Sequence, residues 1–507
     1  MNPAQVAAVE HKARCLLIVA GPGTGKTHTL THRIAERSPQ LPAGAKILAI
    51  TFTNKAAAQM QERLAVLTPQ LVGQCFVGTF HSFCFSLLQE HRAVAGLPEN
   101  FRIAGDDELQ TLAQELWPQQ KRRARVDILD QISLFKSFYP VSSSVPPGYA
   151  HYQLALRQRG LLDFDDLISE AIRLLETVPA VLQQVRGRYP EIFVDEYQDI
   201  NAAQGTLLRM LVGMDGRITA IGDPQQAIYG FRGSDVSYFD NFENDFPGAC
   251  RVTLSENYRS SPNLLAASSQ VMAAGQTAVP ELVAKIYREG QLVVHQSPTD
   301  KAEAEFVVHT IEKLVGGTSL FSYDSGRVKE EAMDNIGFGD VAILYRLKSL
   351  SRALHLALER SGIPFAVAGE VLEAEGEEGD AAEAVCPRRE EEVKFPADKV
   401  TLMTLHAAKG LEFPVVFIVG CEDQLLPLSL GEMKSDQAEE RRLFYVGMTR
   451  AKTRLYLLHA QKRMLYGRIY RFPPSPYLAD IEDALKKYEL SSPLKKKKKN
   501  DQLDLFG

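Results

Sequence analysis

Three short stretches of this sequence carry residue types suited to phosphate chemistry. AGPGTGKT (residues 20–27) follows an apolar run and opens a helix-like pattern. Gly21, Gly23 and Gly25 let backbone N–H groups around Thr24 turn toward an anion, Lys26 carries a charge that reaches outer phosphates, and the Thr27 hydroxyl suits Mg2+. The strict pattern would have Gly where this chain has Ala20. EIFVDEYQD (residues 191–199) ends an apolar strand in acids: Asp195 can hold the metal and Glu196 can polarise an attacking water. RITAIGD (residues 217–223) runs into PQQAIYGFRGSD, where Gln226 is placed to sense a terminal phosphate while Tyr229, Phe231 and Arg232 face a different ligand. The chemistry these residues suggest is hydrolysis of a magnesium nucleotide.

Such residues need strand ends and helix starts to hold them. Residues 14–20 read as a short buried strand and 26–37 as the helix after the glycine loop. Further apolar runs follow in ILAIT, CFVGTF, IFVD, ITAIGD and RVTL, alternating with helical patterns, and a comparable series appears in DVAILYR, VTLMTLH, PVVFIVG and RLYLLHA. That alternation predicts an α/β fold with two parallel sheets, hence two lobes, of which only the first carries a phosphate loop. A length of 507 residues agrees with two to four domains. Hydrophobic residues at 45% and charged ones at 24% exclude a fibrous or broadly disordered chain. No apolar run reaches the ~18 residues of a membrane span, and the start MNPAQVAAVEHK lacks the form of a secretory leader, so the expected location is cytoplasmic. The six scattered cysteines show no metal-ligand spacing, which points to reduced thiols. With a net charge of −6, any nucleic acid must be held by local patches.

The motifs in their order resemble the UvrD/Rep family of superfamily 1 DNA helicases over nearly the whole chain. NPAQ with Gln5 resembles an adenine-reading motif; TFTNKAA (residues 51–57) and GTFHSF (residues 78–83) resemble strand-contacting motifs. ENYRS (residues 256–260), TLHAAKGLEF (residues 404–413) and YVGMTRAK (residues 445–452) complete the series. The resemblance implies two RecA-like P-loop NTPase lobes with a helical insertion in the first, and ATP with Mg2+ as cofactors. By the same resemblance Arg259 and Arg450 are arginine fingers, Arg450 coming from the second lobe and completing the site as the lobes close. Tyr258 stacks on adenine and Glu412 accepts from the ribose; His28 stands where the family usually has Arg. Phe52, Asn54, His81, Tyr229, Phe231, Arg232 and His406 match positions that contact single-stranded DNA, with Phe231 where Trp is common. Aromatic faces stack on any base and so grip without reading sequence.

The expected division is residues 1–88 and 189–272 for the first lobe, 89–188 for its helical insertion, 273–372 and 396–480 for the second lobe, 373–395 for a short acidic linker, and 481–507 for a flexible basic tail. The acidic segment stands where the family carries a large second insertion, which predicts a single-strand translocase that opens duplex weakly. In the tail, Gln502, Leu503, Leu505 and Phe506 resemble the peptide by which bacterial DNA-processing proteins dock on the replication sliding clamp. Expected partners are single-stranded DNA, DNA junctions and that clamp, with no membrane and a monomeric chain. The competing readings are an ATP-switched single-strand-binding module and a nuclease-linked recombination helicase. Glu196, Gln226, Arg259 and Arg450 argue against a pure switch, and no carboxylate–lysine cluster for cutting DNA follows the last motif. The chain can also be read as the helicase portion of a longer parent.

Overall fold

The computed structural model describes residues 1–71, 73–138, 144–275, 281–286, 288–316, 336–368, 398–431 and 433–490. Two compact units emerge, one within Met1–Glu289 and Asp436–Thr449, the other within Gly290–Ala368, Lys394–Ser435 and Arg450–Gly507.

The first unit is built on β1 (Cys15–Ala20), β2 (Ile47–Ile50), β3 (Cys75–Gly78), β4 (Glu191–Val194), β5 (Arg217–Gly222) and β6 (Cys250–Leu254). They form one sheet in the order β3-β2-β4-β5-β1-β6, every neighbouring pair parallel. All side chains of β1, β2 and β4 are buried, as strands covered on both faces require. Alternate residues enter two cores. Leu48, Ile50, Ile192 and Val194 face the core that also takes the helix Asp166–Thr177, while Ala49 and Phe193 face Leu30 and Ile34 of α1 (Lys26–Arg37).

The second unit holds β7 (Gln291–Ser297), β8 (Val341–Tyr345), β9 (Phe365–Val367), β10 (Val400–Thr404), β11 (Phe413–Ile418), β12 (Ala451–Ala460) and β13 (Lys487–Leu490). Their order is β9-β10-β8-β11-β12-β7-β13, again parallel throughout.

The division differs from the expected one in three places. Residues 481–507 were expected as a flexible tail, yet β13 pairs with β7 and Ile481 is buried, because backbone ladder bonds form on a sheet edge whatever the charge of the outward side chains. Within the expected insertion 89–188, only residues around 104–161 form a separate core (Ala104, Leu112, Leu129, Ile132, Tyr152, Leu156), tied by a two-stranded ladder from Arg102–Ile103 to Leu161–Leu162. The helices Asp166–Thr177 and Pro179–Arg188 instead bury Leu174, Leu175 and Val185 against the first sheet. Finally, the helix Gln437–Met448 and residues up to Glu289 belong to the first unit: Arg441 Nη1 donates to Val271 O at 2.6 Å, Arg442 Nε to Ala227 O at 2.6 Å, and Lys285 N to Asn257 O at 2.8 Å.

Candidate active site

The glycine loop takes the shape that its residues dictate. Gly23 (φ 67°) and Gly25 (φ 83°) are left-handed, a conformation costly for any residue with a Cβ. A Cβ on Gly23 would also lie 2.6 Å from Arg259 Cβ, and one on Gly25 2.8 Å from Gln5 Nε2. Gly25 caps α1 without a side-chain bond, leaving the helix's first N–H groups and its partial positive charge for an anion. Thr24 is buried and its hydroxyl donates to Gly21 O at 2.8 Å. Lys26 Nζ donates to Ala20 O at 3.2 Å and Gly21 O at 3.4 Å, so its ammonium lies across the mouth of the loop. Thr27 is half-buried on the first turn, and His28 is exposed with its ring 4.1 Å from that of His32; burial and the neighbouring imidazole lower its pKa.

Two further segments brace this loop. Gln5 is oriented by a capping box with Asn2 and donates from Nε2 to Thr24 O at 3.0 Å. Asn257 Nδ2 donates to Pro22 O at 2.6 Å, and its Oδ1 accepts from Arg259 N at 3.0 Å and Ser260 N at 2.9 Å. Tyr258 N donates to Gly23 O at 2.8 Å, while its ring is 47% exposed and its hydroxyl is shared with Glu256 and Asn2. Arg259 Nη1 reaches Thr449 O at 3.5 Å.

The acids stand at the carboxyl ends of β4 and β5. Asp195 is buried, and burial together with the adjacent Glu196 lifts its carboxyl to about 7, with Lys26 opposing. Glu196 is a non-glycine residue in the left-handed region (φ 50°, ψ 45°), and its carboxylate accepts from Gln198 Nε2 at 2.5 Å. Such strain costs on the order of 1–3 kcal/mol and marks a side chain that the surrounding structure holds in place. Asp223 is likewise raised, by burial first, and accepts from Gln226 Nε2 at 2.6 Å and Gln225 N at 3.0 Å. Gln198 links the two strand ends, its Oε1 accepting from Asp223 N at 3.0 Å.

The donor set fits a magnesium nucleotide. Asp195 and Asp223 are buried carboxyls that burial raises and Lys26 opposes, so a further cation beside them is favourable, and the glycine cradle is closed to any Cβ. Among the described residues no group of three or more His, Cys, Asp or Glu forms a metal cage.

The loop after Asp223 leads to a row of rings. Phe52 and Tyr229 stack with centroids 5.0 Å apart at 14°, Phe231 meets Tyr229 edge-on at 6.1 Å, and the Arg232 guanidinium lies 5.6 Å from the Tyr229 ring. Phe231 is 41% exposed. Asn54 opens the helix Asn54–Leu67 with its side chain in solvent. His81 stacks on Phe164 at 3.7 Å, and burial drives its pKa down to about 3, so it presents a neutral ring. The sequence reading does not single out Phe164; a large aromatic between Asp163 and Asp165 is the signal that could have marked it, and in the structure it is 48% exposed. In the second unit, His406 is buried just after β10, Glu412 pairs with Lys452 at 2.8 Å, and Arg450 is buried at the foot of β12 with Nη1 donating to Leu411 O at 3.0 Å. Gln502, Leu503, Leu505 and Phe506, the lysine run and the acidic segment 373–395 lie outside the described residues.

Sequence comparison agrees with this architecture. Residues 1–247 match the UvrD/REP helicase N-terminal domain, and residues 252–372 and 384–462 match the UvrD-like helicase C-terminal domain. The chain is 30% identical over 683 residues to ATP-dependent DNA helicase UvrD1 of Mycobacterium leprae (strain TN), covering 96% of this chain and 86% of that protein. It is 30% identical over 681 residues to UvrD1 of Mycobacterium bovis (strain ATCC BAA-935 / AF2122/97), with 97% and 86% covered. It is 28% identical over 656 residues to ATP-dependent DNA helicase PcrA of Leuconostoc citreum, with 96% and 85% covered. These alignments are longer than the 507-residue chain, so the relatives carry residues that it lacks. With both domains matched in order and relatives of this coverage, the chain belongs to the UvrD/Rep family of ATP-dependent DNA helicases.

Proposed function

We propose that this protein hydrolyses MgATP to move along single-stranded DNA in the 3' to 5' direction, acting at DNA junctions in repair or replication. One observation carries the reading. The segment Asp223–Arg232 holds, within ten residues, both the Gln226–Asp223 pair beside the phosphate loop and the Tyr229, Phe231 and Arg232 row suited to unstacked bases. A change at the terminal phosphate then has a short covalent path to the grip on DNA.

In the proposed reaction water attacks the terminal phosphorus, the bond to the bridging oxygen breaks with its electron pair leaving on ADP, and the proton passes to Glu196. Lys26 and the helix N-terminus bind the phosphates, Gln226 reports the terminal one, and Arg259 and Arg450 neutralise the charge that develops. Thr27 and Asp195 would hold Mg2+, which when bound would supply charge neutralisation on the phosphate oxygens. Gln5 and Tyr258 select and stack the base, and Glu412 accepts from the ribose. Phe52, Asn54, His81, Phe164, Tyr229, Phe231, Arg232 and His406 form the strand track.

The domain match breaks between residues 372 and 384, and the alignments with relatives exceed the chain's own length. Both support a compact form that opens duplex weakly by itself. The direct test follows displacement of streptavidin from either end of a biotinylated single strand, alongside unwinding of a tailed duplex. Displacement from the 5' end with ATP and slow unwinding are expected; processive unwinding would refute the compact-form reading, and ATP binding without DNA-stimulated hydrolysis would leave the switch. The residues Gln502, Leu503, Leu505 and Phe506 are proposed to dock on a sliding clamp, and deletion after Pro493 should abolish clamp binding in a pull-down of purified proteins.

A further inference from the structure

Thr51 stands one residue beyond β2, at the carboxyl edge where the acids lie. The ladder continues past the strand ends: Thr51 N donates to Gly78 O at 2.9 Å and Asp195 N to Ile50 O at 2.8 Å. Because Ile50 pairs with Val194, Thr51 and Asp195 are the next lateral neighbours, on strands about 4.8 Å apart. Alternation assigns the face. Ile47 and Ala49 of β2 and Phe193 of β4 belong to the core shared with Leu30 and Ile34 of the phosphate-loop helix, so Thr51 and Asp195 continue that same face.

In that position the Thr51 hydroxyl is anomalous. The residue is 1% exposed, and its Oγ1 has no hydrogen-bond partner in the protein. A buried hydroxyl without a partner is destabilising, and Val would fill the same volume without that cost. Shape therefore does not account for Thr. A donor and acceptor one strand over from Asp195, on the same face of the sheet edge, does.

We propose that the Thr51 hydroxyl is a positioning group that anchors a water bridging to the Asp195 carboxylate, and so orients that carboxylate toward the metal of MgATP. The inference rests on the nucleotide site of the proposed function and adds a residue to it. Thr51 touches neither the substrate nor the reacting atoms; it acts through Asp195.

The test is Thr51→Val beside Thr51→Ser in the full chain, read first by binding of a fluorescent ADP as Mg2+ is titrated, then by single-strand-stimulated turnover. Thr51→Val should raise the Mg2+ concentration for half-maximal binding by about tenfold, leave metal-free ADP affinity unchanged, and melt at or above the parent's temperature. Thr51→Ser should stay within about twofold of the parent. Turnover should fall with Thr51→Val while the DNA concentration for half-stimulation stays put. Should Thr51→Val not fold, Thr51→Ser and Thr51→Ala, which differ only by the hydroxyl, replace it in the same titration. An unshifted Mg2+ midpoint in the hydroxyl-free variant overturns the inference. Lys26→Ala separates the two levels: if it still binds and hydrolyses nucleotide the site itself is misassigned, whereas if it fails while Thr51→Val is unaffected only the Thr51 role falls.

Discussion

The carboxyl edges of the two parallel sheets solve opposite problems. In the second unit, Arg463, Glu303 and Glu422 are all buried. Arg463 donates to Glu422 Oε2 at 2.5 Å and Oε1 at 2.6 Å, and to Glu303 Oε2 at 2.8 Å. Ala460 N also donates to Glu422 Oε1, and Gly420 N to the remaining oxygen, Glu303 Oε1. One guanidinium faces two carboxylates, burial pushes Glu303 up to about 7, and all four carboxylate oxygens have protein donors, so the edge is sealed by its own hydrogen bonds. In the first unit Lys26 is bonded to backbone carbonyls rather than to a carboxylate, while Asp195 and Asp223 stay raised by burial, next to a cradle of left-handed glycines. A sheet edge whose countercharges are internal is a structural joint. An edge whose buried acids stand beside a helix N-terminus that has no side-chain cap is built to be completed by something else.

The contrast can be broken most decisively at Lys26. Lys26→Ala should cut DNA-stimulated phosphate release by at least ~10³-fold, about 4 kcal/mol of transition-state stabilisation, with little change in thermal midpoint. Arg463→Met should do the reverse: a loss of about 3–5 kcal/mol in urea unfolding, since two carboxylates are left buried without a cation, but unchanged ADP affinity in the folded fraction. If Arg463→Met costs nothing, the sealed-edge account fails.

Glu303→Gln sharpens the same point through pH. With its pKa raised, Glu303 favours the protonated form in the fold, so its stabilising contribution is full below the ordinary glutamate range near 4 and is lost as pH rises through about 7. Relative to Glu303→Gln, the parent should therefore lose on the order of 2 kcal/mol between about pH 4 and 7, read from paired melts. The smallest effect belongs to the aromatic row: Phe231→Ala should weaken single-stranded DNA binding by about 1–2 kcal/mol in anisotropy titrations at fixed salt, without altering ADP affinity.

Much of the geometry of the candidate site was legible because its elements are local. A glycine loop between an apolar strand and a helix, and acids directly after another strand, carry their own geometry through φ preferences and the two-residue strand period. Gln5 and Asn257 were not legible as braces: they act on backbone oxygens of Thr24 and Pro22, and a contact made over 235 residues leaves no periodic trace. The same holds for Phe164, whose partner His81 lies on another element, and for the Arg463 network, whose members come from three separate segments. The expected tail boundary failed at β13 because Lys487–Leu490 joins the sheet through backbone bonds, to which hydropathy is blind.

By itself the order of residues determined which groups are suited to phosphate, that the sheets are parallel, and which turns must be glycine, since each follows from steric and hydrophobic rules acting over a few neighbours. Tertiary structure alone decided which charges meet their opposites inside the protein and which do not. Desolvation and Coulomb energy depend on burial and distance in space, and neither quantity is written in a linear chain.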